Sequence, residues 1–336
     1  MVRDALNRPL KDLRISVTDR CNFRCTYCMP LDQYEWIDKK EILTFEEIER
    51  LARLFVQLGA DKIRVTGGEP LVRKDLEKLI ARLSAIDGLK DLSLTTNGSL
   101  LAEKVGALKA AGLRRVNVSI DTLRPERFRQ ITRRGDLAKV LEGLFAAKKH
   151  GLHPIKINAV VERGMNDDEI LDLVEFAREN GFSIRFIEYM DVGNTNDWTS
   201  AKLVPKSEIL EKVQSRFPLR EVGRHDGTAP SVDYEFADGR GDFGIIASVT
   251  EPFCSSCSRA RLTADGKLVT CLFSQTGHDL KSRLRRGSTD QELLNFISSL
   301  WHRRTDRYSA ERLEALLSNA YDPRSHKKIE MITLGG

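Results

Sequence analysis

The chain lacks several features that would place it in other classes. Its N-terminus, Met1-Val2-Arg3-Asp4, carries no apolar signal segment, and no apolar run is long enough to span a bilayer. Low-complexity tracts and short repeats are also missing. The 54 basic and 49 acidic residues give a net charge of only +5, too balanced for a surface that coats nucleic acid. We therefore expect a cytoplasmic protein with no membrane and no nucleic-acid partner, which meets anions through a few placed arginines.

Cysteine is scarce as well, and none is left over. The six cysteines form a first trio spaced C-x3-C-x2-C and a second trio spaced C-x2-C-x13-C: Cys21, Cys25 and Cys28, then Cys254, Cys257 and Cys271. Without an export signal, thiols in a reducing compartment favour metal ligation over disulfides. Three thiolates suit an iron–sulfur cube that keeps one iron open for chemistry. The sequence thus predicts two metal sites, each of which binds a further ligand at its open position.

The rest of the first 200 residues alternates short β-branched runs with amphipathic helical patterns. This rhythm indicates a parallel sheet with helical crossovers, an α/β fold. Six units are too few for an eight-fold barrel, so we expect an incomplete (βα)6 TIM-like barrel; an open doubly wound sheet is the alternative. Residues 201–336 predict a smaller α+β region over the barrel mouth. The six expected strands are Leu13–Val17, Lys62–Thr66, Asp91–Thr95, Arg115–Ile120, Pro154–Val161 and Ser183–Tyr189.

Residues at or near the ends of these strands are candidates for ligand contact, because parallel folds place active sites there. Glycine at Gly68 would let the backbone approach a ligand, although it also suits an ordinary turn. Hydroxyls of Thr95 and Ser119 could bond a ligand or cap the next helix. Lys156 lies among apolar residues and favours an anionic ligand over a salt bridge. Met190 alone would be interpreted as core.

The second trio sits beside two arginines. Asp265-Gly266 predicts a hairpin turn that returns Cys271 beside Cys254 and Cys257. Arg259 and Arg261 offer guanidinium donors suited to phosphates. A Cys3His zinc site with His278 as the fourth ligand remains open at this point.

The first-trio loop, with Tyr27 before its last cysteine, resembles the signature of radical S-adenosylmethionine enzymes. Further motifs narrow the resemblance to the GTP 3′,8-cyclase family of molybdenum cofactor biosynthesis, from Leu13 to the terminal Gly-Gly. They are Gly-Gly-Glu-Pro, Thr-Thr-Asn-Gly, Val-Ser-Ile-Asp-Thr, Phe-Ile-Glu-Tyr-Met, and Pro-Phe-Cys-x2-Cys followed by Arg-x-Arg-Leu-Thr-x-Asp-Gly.

The resemblance implies two 4Fe–4S clusters, one on each trio, and S-adenosylmethionine bound to the first. The residues implied for S-adenosylmethionine are Tyr27, Gly68, Ser119 and Met190. Those implied for GTP are Arg14, Arg64, Thr95, Lys156, Arg259, Ala260 and Arg261. The guanine would ligate the open iron of the second cluster. A 5′-deoxyadenosyl radical would take hydrogen from C3′, and C3′ would join C8 to give 3′,8-cyclo-7,8-dihydro-GTP.

The last two residues, Gly335 and Gly336, would normally be frayed. The resemblance instead implies that they reach into the barrel near GTP and serve catalysis. It also implies an external one-electron donor such as flavodoxin, a downstream cyclic pyranopterin monophosphate synthase and a possible homodimer. A peptide-modifying radical enzyme and a non-catalytic iron–sulfur or zinc module are the competing classes.

Overall fold

The computed structural model describes residues 1–29, 34–194, 196–323, 325 and 327–335. Their strands form one sheet in the order β12-β11-β10-β1-β2-β3-β4-β5-β6-β9-β8-β7. From β10 to β9 every neighbouring pair is parallel, whereas the outer strands at both ends are antiparallel. The strands are β1 Asp12–Ser16, β2 Lys62–Thr66, β3 Asp91–Thr96, β4 Arg115–Ser119, β5 Ile155–Val161, β6 Ser183–Glu188, β7 Leu219–Gly223, β8 Val232–Phe236, β9 Asp242–Ile246, β10 Arg259–Leu262, β11 Lys267–Val269 and β12 His278–Asp279.

Helices connect the parallel strands and continue into the C-terminal region. They are α1 Phe45–Gln57, α2 Leu76–Ser84, α3 Leu101–Ala110, α4 Pro125–Thr132, α5 Leu137–Lys149, α6 Ile170–Asn180, α7 Lys206–Gln214, α8 Lys281–Arg285, α9 Asp290–His302, α10 Tyr308–Leu317 and α11 Met331–Leu334. Each of the first five strands is therefore followed by helix before the next strand begins. The expected α/β fold with a parallel-rich sheet is confirmed. No helix in the described ranges is long and apolar enough to cross a membrane.

The C-terminal region joins the sheet at both edges, which the sequence did not indicate. Strand β10 runs parallel to β1, and β9 runs parallel to β6. The predicted hairpin is confirmed, because β10 and β11 pair antiparallel around Gly266, whose φ is +78°. This pairing brings the second trio to the β1 edge, beside the strand that leads into the first trio.

Most positions of the parallel strands alternate between apolar and polar side chains. One face of the parallel strands carries apolar side chains such as Leu13, Val65 and Ile157, which are fully buried in the main core. The opposite face carries polar side chains, among them Arg14, Thr95 and Ser119. Side chains alternate between the two faces of a strand, so one face packs the core while the other is left for ligands. Inward faces of ordinary barrels are filled with branched apolar residues instead.

Glu188, at the end of β6, anchors the C-terminal region to the sheet. Its buried carboxylate accepts backbone hydrogen bonds from Val249 (2.8 Å), Thr250 (2.9 Å) and Lys206 (3.0 Å). Two segments beyond residue 200, at Lys206 and at Val249-Thr250, thus depend on one side chain of the parallel sheet.

Replacing Glu188 with Ala is therefore expected to lower the free energy of unfolding by about 2–4 kcal/mol, since each buried donor left unpaired costs about 1–3 kcal/mol. Chemical denaturation measures the change. Glu142→Ala, which removes an exposed glutamate, is the control and should change stability by less than about 0.5 kcal/mol. Equal effects of the two substitutions would contradict the anchoring role.

Candidate active site

One large cavity opens at the carboxyl ends of the parallel strands, and both cysteine trios line it. The predicted residues that line it are Arg14, Cys21, Cys25, Tyr27, Cys28, Gly68, Thr95, Ser119, Met190, Cys254, Cys257, Arg259, Arg261 and Cys271. All six cysteines are free thiols and are partly buried. The first and last quarters of the chain therefore meet at a single site.

Four predicted residues lie off the cavity wall in different ways. Arg64 and Lys156 are each two positions from a lining residue, on the same strand face but deeper in the sheet. Ala260 is paired in register with Leu13 and is buried on the opposite, apolar face. Its side chain cannot reach the cavity, so only its backbone could contact a ligand there. Gly335 contacts residues of the wall, as described below.

The first trio is held in a loop that packs backbone against backbone on the end of β2. Gly68 donates its backbone N–H to Thr18 at 2.7 Å, and Glu69 donates to Arg20 at 2.8 Å. A Cβ on Gly68 would lie 2.4 Å from the carbonyl oxygen of Arg20, an impossible contact. Glycine is therefore required here by the approach of the first-trio loop.

Glu69 was not predicted, yet it joins three of the strand-end loops. Its carboxylate accepts hydrogen bonds from the hydroxyl of Thr96 (2.6 Å) and the backbone of Asn97 (2.6 Å) and Leu71 (3.0 Å). Complete burial raises the pKa of Glu69 to about 7 despite these donors. Its position inside Gly-Gly-Glu-Pro was the available signal.

Asp121 is a second missed residue. Tyr27 donates its hydroxyl to Asp121 Oδ2 at 2.7 Å, and the backbone N–H of Val160 donates to Oδ1 at 2.8 Å. Burial raises the pKa of Asp121 to about 6, although both donors oppose the shift. The pair fixes the tyrosine of the first-trio loop to strands β4 and β5.

The first-trio thiols are in a setting that disfavours free thiolate. Burial raises the pKa of Cys21 to about 11 and that of Cys28 to about 12, and it also raises the pKa of Cys25 well above its usual value. Metal ligation deprotonates a thiol because the metal charge replaces the proton. These three side chains face one cavity and fit an iron–sulfur cluster, in which each thiolate binds a different iron.

The second trio lies among cations. Arg259 and Arg304 each place an Nη2 near Cys257 Sγ, at 3.1 and 3.2 Å. Burial raises the pKa of the Cys257 thiol, but the two guanidinium groups overcome this and lower it to about 6. Burial raises the pKa of Cys271 to about 12 and outweighs the effect of Arg304, which also lowers that pKa. Of Cys257 and Cys271, Cys257 is therefore the thiol that is ionised at neutral pH.

Arg8 and Arg304 were also missed. Both are buried and share the carboxylate of Asp4, at 2.6 and 3.2 Å. Arg8 donates to the carbonyl of Cys254 at 2.8 Å, and Arg304 donates to the carbonyl of Cys257 at 2.8 Å. The N-terminal residues thus support the second trio. No local pattern links positions so distant in the chain.

Positive charge is concentrated and unneutralised in the sheet between the trios. Arg14 stands in register between Arg261 of β10 and Arg64 of β2. Burial and the mutual repulsion of these arginines lower the pKa of Arg14 well below its usual range. The Nε atoms of Arg14 and Arg64 are buried with no hydrogen-bond partner among the described residues. Such orphaned donors fit a polyanionic ligand that neutralises them.

The zinc alternative is not favoured by this geometry. His278 lies in β12 and lines a separate surface pocket away from the second trio. Within the described ranges, no three Cys, His, Asp or Glu side chains surround a point suited to one metal ion. A cluster has no such need, because its thiolates bind separate irons.

The chain end is docked at the cavity rather than frayed. Arg261 donates to the carbonyl of Gly335 at 3.0 Å. Gly335 has a φ of +73°, and a Cβ there would lie 2.4 Å from Thr66 Cγ2. Glycine is required at this position by both conformation and space. Gly336, the other predicted tail residue, lies outside the described residues.

A buried ionic cluster holds the segment that leads to Gly335. Asp191, directly after Met190, accepts hydrogen bonds from Lys328 (2.6 Å), Tyr308 (2.7 Å) and Arg312. Burial alone would raise the pKa of Asp191, but Arg312 and Lys328 lower it below its usual range. Charge-assisted bonds among buried groups are the stronger class of hydrogen bond.

Comparisons with known proteins agree with this site. The Radical SAM superfamily description matches residues 15–177, and Molybdenum Cofactor Synthesis C matches residues 182–310. A GTP 3′,8-cyclase of Aquifex aeolicus is 47% identical over 338 residues, which cover 100% of both chains. That of Acidothermus cellulolyticus is 46% identical over 359 residues, covering 100% of this chain and 99% of the relative. The chain belongs to the GTP 3′,8-cyclase family.

A solved structure extends the comparison to the fold. Streptococcus suis SuiB superimposes with a TM-score of 0.60 at 15% identity, covering 96% of this chain and 76% of SuiB. At this identity the similarity concerns the fold alone. This similarity agrees with the fold expected for a member of the GTP 3′,8-cyclase family. The match of residues 15–177 to the radical S-adenosylmethionine superfamily implies that the protein uses S-adenosylmethionine and an iron–sulfur cluster.

In cluster-free protein, iodoacetamide should label Cys257 well before Cys271 at pH 7, because only the thiol with a pKa of about 6 is ionised there. A lowered pKa means that the thiolate is present above about pH 6, so labelling should slow as the pH falls through that value. Peptide mass spectrometry measures the order. Arg303→Ala, which truncates the exposed neighbour of Arg304, should leave it unchanged; faster labelling of Cys271 would contradict the assignment.

Proposed function

We propose that the protein converts GTP into 3′,8-cyclo-7,8-dihydro-GTP, the first step of molybdenum cofactor biosynthesis. The observation that carries this proposal is one cavity with a cysteine trio at each side and unneutralised arginines between them. The name shared by relatives at about 46% identity over the whole chain supports it. The reaction joins C3′ of the ribose to C8 of the guanine within one molecule.

Cys21, Cys25 and Cys28 would hold the first 4Fe–4S cluster, and Tyr27, Gly68, Ser119 and Met190 would contact S-adenosylmethionine beside it. Together, when bound, these groups supply a 5′-deoxyadenosyl radical that removes one hydrogen atom from the substrate. The Tyr27–Asp121 hydrogen bond supports this assignment, since it fixes the tyrosine at the cavity wall. Gly68 keeps the first-trio loop close to β2.

Cys254, Cys257 and Cys271 would hold a second 4Fe–4S cluster, with the guanine of GTP on its open iron. Arg259 and Arg304 would donate to Cys257 and set the charge around that cluster. A cluster with three protein ligands keeps a position for the substrate. GTP would therefore be gripped at its base and at its phosphates, which orients the ribose between them.

Arg14, Arg64, Arg259, Arg261 and Lys156 would bind the triphosphate, and Thr95 and the backbone of Ala260 would complete the site. Burial lowers the pKa of Lys156 to about 8 and that of Arg261 to about 10. An anionic ligand would restore both pKa values toward the ordinary range. Lys156 and Arg64 lie deeper in the sheet than the lining residues, so they would act from the floor of the cavity.

We also propose the finer architecture: an incomplete (βα)6 barrel within residues 1–200, with residues 201–336 over its mouth. The polar inward face of β1–β6 and the positions of both trios support this reading. Residues of the C-terminal region would then exclude water from the reacting atoms. The proposal also includes a cytoplasmic location, a possible homodimer and two partners. The partners are an external one-electron donor such as flavodoxin and a downstream cyclic pyranopterin monophosphate synthase.

Anaerobic reconstitution followed by assay with GTP and S-adenosylmethionine tests the function. The wild-type protein should form the cyclised nucleotide, and Cys25→Ser should form no 5′-deoxyadenosine. Replacing all three second-trio cysteines with Ser should halve the bound iron and stop cyclisation, while the first cluster remains. Product from a peptide substrate but none from GTP would overturn the proposal, as would zinc on the second trio.

Deleting Gly335-Gly336 should leave both clusters and S-adenosylmethionine binding intact yet abolish cyclisation, because Arg261 would lose its docked partner. Gly335→Ala should have nearly the same effect, since the added Cβ would collide with Thr66. Gly287→Ala is a matched control: its φ is +86° but no atom lies within 4 Å of the added Cβ. Full activity after the deletion would mean that the tail is dispensable.

A further inference from the structure

The loop that carries the first trio has an outer side as well as a cavity side, and the outer side is strongly basic. Arg20 is exposed immediately before Cys21, and Arg24 lies between Cys21 and Cys25. Arg24 donates to the backbone carbonyls of Cys21 (2.7 Å) and Phe23 (2.8 Å). Its guanidinium is thereby fixed to the ligand-bearing loop itself.

The end of α4 adds further positive charge to the same place. The backbone of Arg24 donates to Thr132 at 3.0 Å, which brings the exposed Arg133 and Arg134 alongside the loop. The proximity of Arg134 contributes to lowering the pKa of Arg24, after desolvation. No ion pair neutralises any of the four arginines in the part of the chain that the structure describes.

A tryptophan lies at the centre of this surface. The guanidinium carbons of Arg20 and Arg24 lie 5.6 and 5.2 Å from the ring centroid of Trp36. The backbone of Ile37 donates to Asp19 at 2.7 Å and ties this segment to the end of β1. Partly exposed tryptophan surrounded by arginine is the composition of an interface hot spot. Exposed arginines repel one another, and a partner that neutralises their charge relieves this repulsion.

We propose that Arg20, Arg24, Trp36, Arg133 and Arg134 form the docking surface for a small acidic one-electron carrier protein; this rests on the proposed function, which requires reduction of the first cluster. The basic first-trio surface, as we call these five residues, lies on and beside the loop that carries the cluster ligands. In the step that this surface would serve, the carrier would lose one electron and the cluster held by Cys21, Cys25 and Cys28 would gain it, with no proton or group transferred. Acidic side chains of the carrier would pair with the arginines, and Trp36 would pack at the centre.

A second copy of this chain and nucleic acid are the alternative occupants of this surface, and each predicts a different observation. A second copy of this chain would have to place acidic residues against the surface, and loss of the surface would then change the oligomeric state. Nucleic acid would follow the same charge, but the chain as a whole carries little excess charge to hold it. The carrier is favoured because the four arginines cluster on and directly beside the loop that holds the first trio.

The test compares two ways of delivering electrons to the reconstituted protein. The double variant Arg20→Glu and Arg134→Glu reverses two charges of the surface without altering a cysteine. With reduced flavodoxin as the probe, its rate of cluster reduction, followed by electron paramagnetic resonance, should fall at least about tenfold, as expected for loss of electrostatic steering. With dithionite, a small chemical reductant, both cluster reduction and GTP cyclisation should stay at the wild-type rate.

The matched control reverses Lys149 and Arg286, exposed cations elsewhere on the chain, and so changes the net charge equally. It should retain wild-type reduction by flavodoxin. The wild-type rate should also fall with added salt, whereas the rate of the double variant should change little. Equal loss in the control variant, an unchanged flavodoxin rate in the double variant, or a shift in sedimentation mass would overturn the docking surface. Absence of dithionite-driven cyclisation in the wild type would instead overturn the proposed function, so the two failures are distinguishable.

Discussion

The arrangement of the molecule depends on one constraint, the burial of several arginines that form no ion pair with a carboxylate among the described residues. Arg14, Arg64 and Arg261 occupy one row of the sheet, and strand register leaves them no freedom to separate. Burying an unpaired charge costs free energy, and the lowered pKa values of Arg14 and Arg261 reflect this cost. The surrounding sheet has to be stable enough to hold them. Its outer face supplies this through an unbroken apolar core, while the inner face remains available for a polyanion.

The C-terminal segment is best understood as part of that site rather than as an appendage. It is tied to the loop after β6 through Asp191 and Asn194, to the second-trio region through Ile329 and Ser274, and to β2 through Gly335. Two of these contacts lie next to residues assigned to S-adenosylmethionine, Met190 and Gly68, and the third lies next to Cys271 of the second trio. A segment held this way couples the three loops, because displacing any one of them strains the contacts to the others.

Much of the fold could be predicted from the sequence because its signals are local. Strand β2 lies where Lys62–Thr66 predicted it, and β3 begins at the predicted Asp91. The missed features are those that depend on distant pairing. Strand β10 is four residues long and joins β1 across most of the chain, and its parallel pairing leaves no hairpin signal. The sequence therefore predicts too small a contribution of the C-terminal region to the sheet.

The same distinction applies to the site. Cysteine spacing reveals ligands because the chemistry requires a specific residue type, whereas supporting residues are recognised only by their contacts. Arg304 reaches Asp4 across 300 positions and Cys257 across 47. Asp121 resembles any helix-capping residue until Tyr27 is seen to donate to it. Ala260 shows the converse: it lies inside the Arg-x-Arg motif, but strand alternation places its side chain on the opposite, apolar face.

The two sides of the first-trio loop also explain why its composition is divided. Toward the cavity the loop presents thiols and Tyr27, beside buried carboxyls whose pKa values burial raises to about 6 and about 7. Toward the outside it presents arginines and a tryptophan. A centre that must accept single electrons yet protect a reactive substrate needs such a division, since the electron has to enter where water and other hydrogen donors cannot. Gly335 packs against Arg261 and Thr66 on the cavity side, and the outer side of the loop is left as the face for an incoming electron.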